Sequence, residues 1–267
     1  MSAILAVQQI SKSFRGLRAL ANVSFEIQPN TIAALIGPNG AGKTSLFNII
    51  SGAQTPDSGA IVFDGCRIDG LRPDQICRRG LARTFQIVKP FAGLTVLDNV
   101  VIGALSCCTR VKEARECADA ILDSVGLGPK RSLASATLTL PDRKLLELAR
   151  ALATRPKLLL LDEVLGGLRP TECDRLLELL REITGREGIS VVLIEHVMGA
   201  VMALAQTVIV LHHGEVIAQG TPSDVVRHPP CSTVISVLRS ATKMLAIFKP
   251  CAPGLSQGRV HRSPMVN

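Results

Sequence analysis

The sequence predicts an α/β fold in which a core of buried strands alternates with helices and is interrupted by a stretch of helices alone. An apolar run, Thr31 to Ile36, leads into the glycine-rich turn GPNGAGKT at 37–44 and then into a helix-like segment, Ser45 to Ile50. Two later runs, Leu158 to Leu161 and Val191 to Ile194, are wholly apolar and end in Asp162-Glu163 and Glu195-His196. That is the pattern of a strand buried on both faces. Between about 87 and 150, apolar residues recur at helical spacing and no convincing strand is present.

Taken in order, Ile4 to Val7 and Val23 to Ile27 read as strands, joined through Ser11 to Ala21, a segment that holds the exposed-looking Phe14. Ile61 to Phe63 is a further strand, Pro73 to Arg79 a short helix, and Leu81 to Phe85 a buried strand ending at Gln86. Thr95 opens a helix with Asp98 three positions on, a capping box whose carboxylate is one carbon shorter than usual. Ala118, Ile121, Leu122 and Val125 share one helix face, as do Leu145, Leu148, Ala149 and Leu152. The helix after Glu163 turns Leu176, Leu179, Leu180 and Ile183 inward. Thr207 to Leu211 and Glu215 to Gln219 flank an HHG turn, and Thr221, Pro222 and Asp224 supply the cap, proline and acid of a last helix start.

At 267 residues and 28.4 kDa, the chain has room for one large α/β domain, or for a domain with a subdomain. The formal net charge is +8, but Arg239, Lys243, Lys249, Arg259 and Arg262, with no acid after His228, place +5 of it in the C-terminal tail. The remainder is nearly balanced, which points away from nucleic acid as a partner. Eight cysteines show no CxxC pair and no signal peptide is visible, so the thiols read as reduced and the chain as cytosolic. The longest apolar candidate, Val197 to Leu211, contains Gln206 and falls short of the ~20 residues a spanning helix needs. A membrane protein therefore enters only as a partner.

A strand, a glycine turn and a helix in that order are the setting of a phosphate-binding P-loop. Gly37, Gly40 and Gly42 let backbone N–H groups curl around phosphate oxygens at the positive end of the helix. Lys43 would reach the β and γ phosphates and Thr44 can ligate Mg²⁺. At the end of its buried strand Asp162 would hold Mg²⁺ through water, and Glu163, one residue on, is placed to orient or deprotonate an attacking water. A P-loop alone leaves GTPases, kinases, helicases and transporter ATPases open.

The series of motifs narrows this choice, because the chain resembles the ATP-binding subunits of ABC transporters from about residue 4 to residue 230. Phe14 looks like the aromatic that stacks on adenine. The Walker A loop is matched by Gly37, Pro38, Asn39, Gly40, Ala41, Gly42, Lys43 and Thr44, with Ser45 following. Gln86 in RTFQ looks like the Q-loop glutamine, LLLLDE like Walker B, and His196 in IEH like the switch histidine that contacts the γ phosphate. The resemblance implies a P-loop NTPase core of ABC type with an antiparallel β subdomain and a helical subdomain at about 87–150. All of this would lie in one domain of residues 4–230, followed by a basic tail, 231–267, of low order. It implies ATP and Mg²⁺ as ligands and a catalytic set of Lys43, Gln86, Glu163 and His196, with Thr44, Gln86 and Asp162 arranging the metal.

KPFAGLTVLDNV at 89–100, ELARALATRPKLLLLDEV at 147–164 and IEHVM resemble the branched-chain amino acid subgroup. Its implied partners are a second ATPase subunit, identical or not, two membrane permease subunits and, indirectly, a substrate-binding protein. The chain would then be a peripheral protein on the cytoplasmic face of the inner membrane. Two motifs depart from the family pattern. Where LSGGQ is expected the chain has Leu138, Thr139, Leu140, Pro141 and Asp142, so the glycine pair is gone and Pro141 has no N–H to donate. Pro141 is expected at the first position of the next helix, and the altered motif predicts unequal ATP sites in a dimer. In GGLR at 166–169, Arg169 replaces the usual Asp or Asn. Two other classes stay open: a nucleotide-binding regulatory subunit with weak turnover, which the altered signature favours, and a soluble non-transport ABC protein, which the single cassette opposes.

Overall fold

The computed structural model describes residues 2–86 and 89–227. A six-stranded sheet runs in the order β10-β9-β3-β8-β7-β6. Its strands are β3 (Ile32–Ile36), β6 (Leu81–Arg83), β7 (Leu158–Asp162), β8 (Ser190–Ile194), β9 (Thr207–His212) and β10 (Glu215–Gly220). All neighbours pair in parallel except β9 with β10. A second, four-stranded antiparallel sheet has the order β2-β1-β4-β5, from β1 (Leu5–Phe14), β2 (Leu17–Ile27), β4 (Ser58–Phe63) and β5 (Cys66–Arg67).

The all-apolar strands are explained by two cores that share the parallel sheet. Ile32, Ala34, Ile36, Leu159, Leu161, Val191 and Leu193 face one core, and the alternate residues Ala33, Leu35, Leu158, Leu160, Val192 and Ile194 face the other. The period of two in strand side chains divides each run between them, so neither face tolerates a polar residue. The second core is closed by the antiparallel sheet and by α1 (Lys43–Ile50), which buries Leu46, Phe47, Ile49 and Ile50. The first is closed by α3 (Val96–Ala104), α4 (Val111–Ser124) and α5 (Leu140–Leu152), which lie between β6 and β7, and by α6 (Pro170–Glu187) and α7 (Met198–Leu204). Helices α2 (Pro73–Arg78) and α8 (Pro222–Arg227), with short 3-10 turns at Gly128–Lys130 and Ser135–Thr137, complete the described elements.

Three expectations need correction. Ser11 to Ala21 is no connection: β1 and β2 form a continuous hairpin turned at Arg15 and Gly16, both at positive φ. Register shifts along β1, between Val7 and Ile10 and again up to Ser13, break the apolar alternation that would have marked it as strand. The strand expected to reach Phe85 stops at Arg83, and Phe85 is 59% exposed. Pro141 sits at the second helical position of α5, because Leu140 opens the helix. Thr95 caps α3 as expected, accepting from the Asp98 N–H at 3.0 Å, but the Asp98 carboxylate takes the Thr95 hydroxyl at 2.6 Å. Val197 to Leu211 divides into α7 and β9, and no helix among the described residues is long and apolar enough to cross a membrane. The tail expected at 231–267 lies outside the described residues.

Candidate nucleotide site

Where β3 ends, the chain turns through Gly37–Gly42 into α1, and the turn is wedged between two strands. A Cβ on Gly37 would stand 2.1 Å from the Leu211 carbonyl oxygen, and one on Gly42 2.6 Å from that of Ala19. Gly42, at φ 105, is the residue that enters α1. The cradle thus forms only with glycine at these points, and the first N–H groups of the helix it leads into have no partner within the helix. Ala41 is buried, Pro38 and Ser45 are half-buried, and Asn39, Gly40 and Thr44 are exposed. Lys43 bends back over the loop, its Nζ donating to Gly37 O at 2.8 Å and Pro38 O at 2.9 Å. Burial lowers its pKa, against the opposing pull of Glu163 and Asp162.

Asp162 is the last residue of β7, in register with Ile194 of β8, and only 3% exposed. Its Oδ2 accepts from Arg83 Nη2 at 3.0 Å. Arg83 also donates to Asn48 Oδ1 at 2.7 Å and Ser51 Oγ at 3.2 Å, and its guanidinium lies 5.1 Å from the Phe85 ring centroid. Burial pushes the Asp162 carboxyl above its ordinary range, with Arg83 pulling the other way. Glu163 follows at φ 50, half-buried, and its Oε2 accepts from Gln86 Nε2 at 2.6 Å. His196 is exposed just beyond β8, at the same C-terminal strand edge, the edge at which ligands of open α/β sheets sit.

Thr44, Gln86 and Asp162 line one cavity of about 840 Å³, together with Arg83, Phe85 and Glu147. A hydroxyl, an amide and a carboxylate are hard oxygen donors that suit Mg²⁺, and the glycine cradle beside them suits phosphate. Phe14 is not part of this cavity. It is 38% exposed at the end of β1, with Lys12 Nζ 5.7 Å from its ring, in a separate hollow of about 570 Å³ shared with Gln54 and Thr55.

A profile described as "ABC transporter" matches residues 20–166. The chain belongs to the ABC transporter family. It is 35% identical, over 85% of its length and 94% of the relative's, to the high-affinity branched-chain amino acid transport ATP-binding protein LivG of Escherichia coli K12. It is 34% identical to BraF, the corresponding protein named in Pseudomonas aeruginosa, with the same coverage. Among solved structures it superposes on the ADP conformation of an ATP-binding cassette of an ABC transporter with a TM-score of 0.80 and 28% identity, covering 88% of this chain and 99% of that one. The cassettes of this family are ATPases that power transport, and this chain is one of them.

The altered stretches of the cassette have a structural reason of their own. Thr139 caps α5, and its hydroxyl donates to Asp142 Oδ2 at 2.7 Å; the same oxygen accepts from Lys130 Nζ at 2.5 Å. Arg169 opens α6 by giving its backbone N–H to Glu172 Oε2 at 2.8 Å and its Nε to Oε1 at 3.1 Å. Three charged groups to which the sequence assigns no role support the site: Arg83, Glu147, which accepts from the Phe85 N–H at 2.6 Å, and Glu195, which accepts from the Leu165 N–H at 2.9 Å. A charged residue beside an otherwise apolar strand was the available signal for Arg83 and Glu195.

Proposed function

We propose that this cassette hydrolyses MgATP to drive an importer of branched-chain amino acids, working as one of a pair of ATPase subunits beneath membrane permeases. Lys43 would exchange its two loop carbonyls for β and γ phosphate oxygens, with the N–H groups of Gly40 to Ser45 supplying the rest of the cradle. Phe14 would stack on adenine. Thr44, Asp162 and Gln86 would hold Mg²⁺, which supplies charge neutralisation on the phosphates when bound. Glu163 would take the proton of the attacking water as general base, and His196 would contact the γ phosphate. The observation that carries this reading is the bond from Gln86 Nε2 to Glu163 Oε2 at 2.6 Å: it fixes a carboxylate one residue beyond the buried Asp162.

The transported substrate is read from LivG and BraF alone, since no residue of the site recognises it. Permease docking would use the groove in which Gln86, Phe85 and Ile102 meet, and the subunit would then work at the cytoplasmic face of the membrane. ATP turnover by Glu163→Gln in the assembled transporter tests the chemistry: a rate equal to wild type would exclude Glu163 as the base. Permease and binding-protein reading frames beside this one would support the substrate. A second reading, a subunit with weak turnover at one of two sites, is favoured by Asp142, whose carboxylate occupies the first turn of α5 with the Thr139 hydroxyl committed to it.

A further inference from the structure

Glu163 stands at φ 50, a left-handed conformation that a residue with a side chain keeps only where its surroundings impose it. Two side chains from separate elements impose it here. Lys144, from the second turn of α5, donates from Nζ to three carbonyls of the one turn: Glu163 O at 3.1 Å, Val164 O at 2.9 Å and Gly166 O at 2.6 Å. Glu195, from the end of β8, accepts the Leu165 N–H at 2.9 Å. Within the backbone, Glu163 N–H donates to Ile194 O at 3.0 Å and Gly166 N–H returns to Glu163 O at 3.3 Å.

The chemistry of the two groups matches the turn. An ammonium has three donors and no acceptor, so three converging carbonyls use its full capacity. Among the described residues Lys144 forms no ion pair with a carboxylate, so its charge is spent on peptide dipoles. Glu195 is 1% exposed and accepts the N–H of Leu165, a residue of the same turn.

We propose that Lys144 and Glu195 are positioning residues that hold the turn at 163–166, and through it aim the Glu163 carboxylate at the reacting water. This rests on Glu163 being the base. Without Lys144 the three carbonyls would turn outward to water, the left-handed residue would relax, and Glu163 would leave Gln86. Nucleotide binding, made by the P-loop at the end of β3, two strands from β7, would persist.

Steady-state ATPase rates and the affinity for a fluorescent ATP analogue in EDTA, measured on the full chain for Lys144→Met, Glu163→Gln and the double variant, test this. Lys144→Met is expected to lower kcat at least tenfold with analogue affinity within twofold of wild type, and to lower the rate of Glu163→Gln by less than twofold. A kcat within twofold of wild type, or a full tenfold further loss in the Glu163→Gln background, overturns the proposal while leaving the base in place. A wild-type rate for Glu163→Gln itself sinks the base and the clamp's purpose with it. Glu195→Ala, which frees the Leu165 N–H without altering α5, is held to the same split and decides the matter if Lys144→Met does not fold.

Discussion

Arg83 donates to Asp162 across 3.0 Å, and their side chains are only 6% and 4% exposed. Removing one partner of a buried pair strands the other charge, which costs about 3–5 kcal/mol. Arg83→Met is therefore expected to lower unfolding free energy by roughly that amount in urea titration at pH 8. Asp162→Asn in the same background should restore part of the loss, because no charge is then left unpaired. Equal stability of wild type and Arg83→Met would show that the pair is open to water.

The P-loop glycines should not be equivalent. Gly40 and Gly42 both have positive φ, 79 and 105, but a Cβ on Gly40 meets nothing within 4 Å whereas one on Gly42 lies 2.6 Å from the Ala19 carbonyl oxygen and 2.8 Å from Leu20. Gly40→Ala then costs only the left-handed strain of about 1–2 kcal/mol. Gly42→Ala adds an overlap that moves either the loop or β2. ATP affinity measured by calorimetry should fall at least about tenfold further in Gly42→Ala, the factor that 1.4 kcal/mol gives. The reverse order would mean that the loop reshapes freely.

The altered signature makes a prediction of opposite sign. Burial works against ionisation of Asp142, but the Lys130 ammonium and the Thr139 hydroxyl hold its carboxyl below the usual range, so the first turn of α5 carries a fixed negative charge. A helix start so occupied is a poorer partner for phosphate. Replacing residues 138–142 by LSGGQ is expected to raise ATP turnover of the assembled transporter roughly fivefold, the effect of one added phosphate hydrogen bond of about 1 kcal/mol. Unchanged turnover would count against unequal sites.

Where burial is two-sided, the sequence carried the structure plainly. Leu158 to Leu161 and Val191 to Ile194 could be placed because two cores leave no polar position in them, and Asp162 and Glu163 follow from where such a strand must end. The hairpin at 5–27 was hidden because its register shifts disrupt the alternation. Lys144 was illegible for a different reason: its partners are backbone carbonyls some twenty residues away, and carbonyls leave no mark in a sequence. The bond between Gln86 and Glu163 spans 77 positions and emerges only when β6 and β7 pair.

Glu195 gives the cassette a pH dependence of stability whose sign follows from its burial. Removal from water is the main cause that pushes its carboxyl from the ordinary 4.5 up to about 7, with the Leu165 N–H and Lys144 opposing and Glu163 adding to it. Between those two values the folded chain binds a proton that the unfolded chain releases, so stability falls as pH rises through the window. The cost is absent below the unfolded value and complete above about pH 7. At 1.36 kcal/mol per pKa unit it is on the order of 3 kcal/mol. Glu195→Gln cannot ionise and escapes this slope, whatever constant penalty its amide brings. Urea midpoints of the two proteins at pH 5.5 and pH 8 should therefore converge or cross as pH rises, the variant gaining on wild type. Parallel midpoints would mean that Glu195 ionises in the folded chain as easily as in the unfolded one, and that the carboxylate is hydrated where it meets Leu165.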